Sequence, residues 1–157
     1  MKPTPAFRKW GLCALAALFA LSVSGAAFAD GAGEIKYRQS VMKAIGGHFG
    51  ALIAIGKGAT ANQKDLMLHA KALDELAKVT PRIFPKGSGP EAGKTEALPK
   101  IWTDWNNFKK GITALETGAD AVLKAAKTGD KGKLLAAVGS MGKNACKACH
   151  DTYLEKR

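Results

Sequence analysis

Apolar residues recur every three or four positions in four separate stretches of the chain, which is the spacing of one face of an α-helix. Tyr37, Val41, Met42, Ile45, Phe49, Leu52 and Ile53 predict a first helix over about Glu34 to Lys57, ended by Gly56-Lys57-Gly58-Ala59-Thr60. Leu66, His69 or Ala70, Leu73, Leu76 and Ala77 predict a second over about Asn62 to Val79, with Asn62 or Thr60 placed to cap it and Pro81 to end it. A third opens at Pro99, runs through Ile101, Trp102, Trp105, Phe108, Ile112, Leu115, Ala119, Val122 and Leu123 to about Lys127, and closes at Gly129. The fourth starts behind Asp130 as N-cap and carries Leu134, Leu135, Val138, Met141 and Ala145 on to Tyr153 and Leu154.

Short turns join the first helix to the second and the third to the fourth. The one long connection, Thr80 to Leu98, holds Pro81, Pro85, Gly87, Gly89, Pro90 and Gly93 and is too broken for a regular element. No stretch has a strand-like pattern. The pattern predicts an all-α fold, an antiparallel four-helix bundle, in which cofactor sites are built from side chains on facing helices. Gly46, Gly47, Gly50 and Gly56 lower the propensity of the first helix, so packing must hold it, and they would let a helix or a flat cofactor approach closely.

The first residues read differently. Lys2, Arg8 and Lys9 precede an apolar run from Trp10 to Val23, and Ala27-Phe28-Ala29 supplies a small-x-small cleavage pattern, so residues 1–29 are expected to be a secretory signal peptide. The apolar run is shorter than the ~20 residues a membrane span requires. Cys13 would leave with the leader. Cleavage would leave 128 of the 157 residues, 30–157, as one domain with no stable membrane insertion. In a bacterial cell that route ends in the periplasm.

Net charge changes the picture little. It is +11, and falls to +8 once Lys2, Arg8 and Lys9 are gone. Lysines are spread along every segment with no nucleic-acid recognition motif among them, so nucleic acid is not an expected partner. A basic face suits docking to an acidic protein.

Chemistry concentrates near the C-terminus. In Cys146-Lys147-Ala148-Cys149-His150, two cysteines separated by two residues and followed at once by histidine form the attachment signature of a c-type haem. On a helix, positions three and four apart share a face. Two thiols can then close thioethers onto the porphyrin while the imidazole reaches the iron. A zinc site needs about four ligands, and the exported chain adds only His48 and His69. A thioredoxin-like dithiol would follow a strand, and a disulfide one turn apart would distort the helix. Haem attachment is the reading that remains.

A single CxxCH near the C-terminus of an exported four-helix chain resembles the class II c-type cytochromes, the cytochrome c′ and cytochrome c-556 group. The resemblance spans the mature chain: Tyr37-Arg38-Gln39-Ser40 with Met42, Pro99-x-Ile101-Trp102-x-Asp104, and Gly142-Lys143-x-x-Cys146-Lys147-Ala148-Cys149-His150. It implies one covalently attached haem c, with Cys146 and Cys149 at the thioether positions and His150 as axial ligand to iron. It further implies that Arg38 and Gln39 lie beside the haem and its propionates, and that Glu96 approaches the haem edge.

Met42 separates two functions within that family. In the c-556 type a helix-one methionine ligates iron opposite histidine and gives a low-spin electron carrier. In the c′ type the matching position holds an apolar residue, sometimes methionine, that shields an open site for nitric oxide or carbon monoxide. Met42-Lys43-x-x-Gly46-x-x-x-Gly50-Ala51-Leu52 is similar to the c-556 type, while Tyr37-Arg38-Gln39-Ser40 and His48-Phe49-Gly50 are equally similar to c′ sequences. Ligation by Met42 is the favoured expectation. His48 and His69 are expected to be ordinary packed histidines, and Trp102 and Trp105 core aromatics. No acid or base is placed to make the chain an enzyme. The expected partner is a redox protein with an acidic docking surface, and the chain is expected to be a monomer or a homodimer.

Overall fold

The computed structural model describes residues 30–156. The expected leader and its cleavage site lie outside the described residues, except that Asp30, the first residue after it, opens the fold. Asp30 Oδ1 accepts the Ala32 N–H at 2.8 Å and starts α1, Gly31–Gly56, three residues before the periodicity alone places it. α2 is Leu66–Val79, reached through a 3₁₀ turn, Gln63–Asp65, and followed by another, Thr80–Arg82, in which Pro81 stops the α ladder.

The expected third helix is divided in two. Asp104, at φ −122° and ψ 42°, separates α3, Lys100–Thr103, from α4, Trp105–Lys127. Gly129 at φ +68° then turns the chain, and Asp130 accepts the Lys133 N–H at 3.0 Å to open α5, Lys131–Met141. The fourth helix continues past α5 as a π-helical turn, Gly142–Lys147, and an α-helical end, α6, Ala148–Tyr153.

The packing closes a ring. α1 lies against α2, α2 against α4, α4 against α5, and α5 against α1. This is the antiparallel four-helix bundle that the apolar pattern predicts. Leu52, Leu73, Val122, Leu134, Val138 and Met141 are fully buried between the helices. Of Gly46, Gly47, Gly50 and Gly56, only Gly56 has a close neighbour: a Cβ there would lie 2.8 Å from Leu135 Cδ2. Gly46, Gly47 and Gly50 have no protein atom in reach of a Cβ, so close helix approach is not their role.

Two residues depart from the predicted α1 stripe. Tyr37 is 54% exposed, while Arg38 is 3% exposed. The cause is the long connection, which folds back over α1 and covers Arg38 rather than its neighbour. The Arg38 guanidinium donates to Ser88 Oγ and Ser88 O, each at 2.8 Å, to Thr95 Oγ1 at 3.2 Å and to Ile83 O at 3.3 Å. It also sits over the Phe84 and Trp102 rings, 5.1 and 5.7 Å from their centroids. Trp102 Nε1 donates to Pro85 O at 3.0 Å, and the Ser88 hydroxyl donates to Pro85 O at 2.8 Å. A connection whose regular structure is limited to short 3₁₀ turns is thus ordered by one buried cation and one indole.

Its far end is held by the C-terminus. Leu98 N donates to Tyr153 O at 3.0 Å and Glu155 N to Glu96 O at 2.8 Å, around an antiparallel bridge between Ala97 and Leu154. That bridge is invisible to periodicity because it is one residue pair long.

Candidate haem pocket

One end of the bundle opens into a cavity of about 850 Å³. α1 contributes Met42, Ile45, Gly46 and Phe49, α4 contributes Phe108, Ile112 and Leu115, and the long connection contributes Glu96 and Ala97. The C-terminal helix supplies Cys146, Cys149 and His150 to the same space. The spacing argument therefore gives the right outcome, although Cys146 lies in a π turn rather than an α turn. Turns of that kind inside helices recur at functional sites because the extra residue per turn re-aims the side chains that follow. Packing accompanies it: the ring of Phe49 lies 3.0 Å from where a Gly142 Cβ would stand, so the helix passes close over α1 at the start of the turn.

Aromatic rings fix the end that carries the motif. Phe108 meets Phe84 edge-on at 4.7 Å and Tyr153 edge-on at 5.1 Å. The Tyr153 hydroxyl donates to Asp104 Oδ2 at 3.4 Å, and burial together with that carboxylate raises its pKa. Asp104, which breaks the third helix, thus faces the last ring of the fourth.

Cys146 and Cys149 are free thiols, half-buried, and burial pushes both above the ordinary thiol range; Cys149 is raised further by Cys146 beside it. They are held neutral against an apolar wall. A broad, mostly apolar cavity with two thiols and an imidazole from one helix fits a flat porphyrin joined to the chain by thioethers. When bound, haem c supplies a one-electron couple at its iron.

The other expected site residues divide by burial. Met42 is half-buried on the α1 wall. Arg38 and Gln39 both border the cavity, but Arg38 spends its guanidinium on the connection, and Gln39, exposed, donates through Nε2 to Lys94 O at 3.2 Å. Glu96 is half-buried at the lip, with its backbone in the bridge to the C-terminus. His48 and His69 do not line the cavity. Residues the sequence did not assign to a site also border it: Tyr153 and Leu154 beyond the motif, and the exposed Lys36, Lys43 and Lys94 around the mouth. Leu115 and Ile112 could have been found from their place on the α4 stripe. Lys36 and Lys43 lie two turns apart on α1, but Lys94 could not have been grouped with them, since it reaches the mouth only because the connection folds back.

A helix bundle that brings a CxxCH motif to the wall of an open-mouthed, mostly apolar cavity defines a haem-binding bundle. Comparison with known proteins narrows this. The family model described as Cytochrome C' matches residues 33–154. The chain is 36% identical over 124 residues to the cytochrome c' of Pararhodospirillum photometricum, covering 77% of this chain and 95% of that protein. It is 38% identical over 143 residues to the cytochrome c-556 of Agrobacterium fabrum, covering 90% and 93%. Among solved structures it is similar to the cytochrome c' of Rubrivivax gelatinosus, with TM-score 0.74 and 33% identity over 82% of this chain and 99% of that one. A nitric oxide complex of a cytochrome c prime mutant from Alcaligenes xylosoxidans gives TM-score 0.73 and 32% identity over 83% and 99%. The chain belongs to the cytochrome c′ family, the class II c-type cytochromes. Its cofactor is a covalently attached haem c with iron, and members of the family carry electrons or bind small gases rather than act as enzymes.

Proposed function

We propose that this chain is a periplasmic electron carrier of the c-556 type, with His150 and Met42 as the two axial ligands to iron and Cys146 and Cys149 as the thioether positions. The observation that carries the reading is that Met42 from α1 and His150 from α6 face one cavity. Neither His48 nor His69 borders it, which leaves the Met42 thioether as the soft neutral donor on the α1 wall. Thioether ligation opposite histidine raises the reduction potential, which suits electron transfer. Arg38, Gln39 and Glu96 border the cavity; in this reading Arg38 and Gln39 lie beside the haem propionates and Glu96 at the haem edge.

Export through residues 1–29 and a mature domain of 30–157 complete the reading. Among the described residues no helix is long and apolar enough to cross a membrane. Lys36, Lys43 and Lys94 at the mouth are a basic rim for a redox partner with an acidic docking surface, steering encounter without a large buried interface. The chain acts as a monomer, or as a homodimer.

A second reading is supported by the apolar wall itself. Ile45, Phe49, Ile112 and Leu115 would suit a shielded open site, with Met42 a filler and a diatomic gas as ligand. Voltammetry of the haem-loaded protein separates the two. A reversible one-electron wave whose midpoint does not move under carbon monoxide is expected, and a wave displaced by the gas would replace the carrier with the gas-binding protein.

A further inference from the structure

Outside the haem pocket, the bundle brings together the two histidines that the haem has no use for. His48 on α1 and His69 on α2 are both half-buried and face each other across the helix pair, Nδ1 to Nδ1 at 2.9 Å, with ring centroids 5.1 Å apart and ring planes 53° apart. They are 21 positions apart in sequence, on separate helices that lie against each other.

We infer that His48 and His69 form a two-imidazole site for a late first-row divalent cation, copper(II) above all. Two nitrogens bound to one cation at ~2.05 Å stand about 2.9 Å apart at a right angle and about 3.3 Å apart at the tetrahedral angle. The Nδ1–Nδ1 separation of the hydrogen-bonded pair equals the right-angle spacing that tetragonal copper(II) prefers, so a cation is taken up by tilting both rings off the N–N line without moving the helices apart, and copper(II) heads the affinity order for imidazole sites. Without a cation, one Nδ1–H donates to the other Nδ1. Binding requires the donating ring to carry its proton on Nε2 instead, and both Nδ1 lone pairs then serve the metal with no net proton released. Among the described residues no three His, Cys, Asp or Glu side chains converge on one point, so water completes the coordination. The site is therefore open and exchangeable rather than a structural metal centre. It rests on the helix packing alone and holds whichever axial ligand the haem takes.

The test titrates copper(II) chloride into the haem-loaded ferric protein in a non-chelating buffer and follows binding by calorimetry. One copper per chain is expected, with affinity weakened at least about tenfold in H48Q and in H69Q, the scale on which even outer partners of metal-bound histidines act. The haem absorption bands and the helical circular dichroism are expected to stay unchanged in both variants. Equal affinity in wild type and variants would overturn the site. Electron paramagnetic resonance of the copper-loaded wild type reads the ligands without a variant that must fold. The chain has three histidines, and His150 stands in the haem motif. Superhyperfine structure from two imidazole nitrogens is expected, and copper held by one or none would overturn the proposal.

Discussion

Met42→Ala is expected to turn a low-spin haem protein into a high-spin one that takes up carbon monoxide. The substitution removes the one thioether that α1 presents to the cavity and leaves Ile45, Gly46 and Phe49, none of which can donate to iron. Every ~1.4 kcal/mol of bond strength that the gas no longer has to displace raises its apparent affinity about tenfold, so even a modest thioether bond makes the change large. The reduction potential is expected to fall with the loss of the ligand. Truncating a half-buried methionine also costs about 2 kcal/mol of packing, and Met42→Leu separates the two effects by keeping volume and apolarity while removing sulfur. High-spin spectra in both the alanine and the leucine variant against a low-spin wild type would mark ligation. A leucine variant identical to wild type would make Met42 a shield.

The second large effect belongs to Arg38. Arg38→Ala removes four donated hydrogen bonds and leaves Ser88 O and Ile83 O, inside the fold, without their donor. Unmet buried acceptors of this kind cost about 2–4 kcal/mol in total, or roughly 10 °C in the melting temperature of a domain of this size. Arg38→Lys is expected to recover little, because a single ammonium cannot reach Ser88, Thr95 and Ile83 together. The long connection is the covering of Arg38 and also the source of Glu96 and Ala97 at the pocket lip, so the same variants are expected to speed hydrogen exchange over residues 83–97. Thermal melts of the haem-loaded protein with exchange measurements check this. Full stability in Arg38→Ala would mean that the connection is held by the Trp102 indole and the Ala97–Leu154 bridge alone.

What could be read from the sequence was what local spacing determines. The four apolar stripes give the helices, Asp130 and Gly129 give a boundary that the structure keeps, and five residues of CxxCH place two thiols and an imidazole on one cavity wall. Each of these depends on neighbours within a turn or two. The remainder depends on contacts distant in the chain. Nothing around Arg38 or Tyr37 says which of the two will be covered, because the covering residues lie 45 to 57 positions away. The π turn at Gly142–Lys147 accompanies the approach of Phe49 from another helix. The break at Asp104 goes with a carboxylate that meets the Tyr153 hydroxyl from 49 residues off. His48 and His69 read as two ordinary histidines until α1 and α2 are laid side by side.

The most direct measurement is the optical spectrum of the purified haem-loaded protein, ferric and ferrous, before and after carbon monoxide. Sharp, split visible bands in the ferrous form, a weak near-infrared sulfur-to-iron band in the ferric form and indifference to carbon monoxide are the result expected if Met42 and His150 share the iron. Broad high-spin bands with ready carbon monoxide uptake would contradict that ligation and make the chain a gas-binding cytochrome with Met42 lying over an open site.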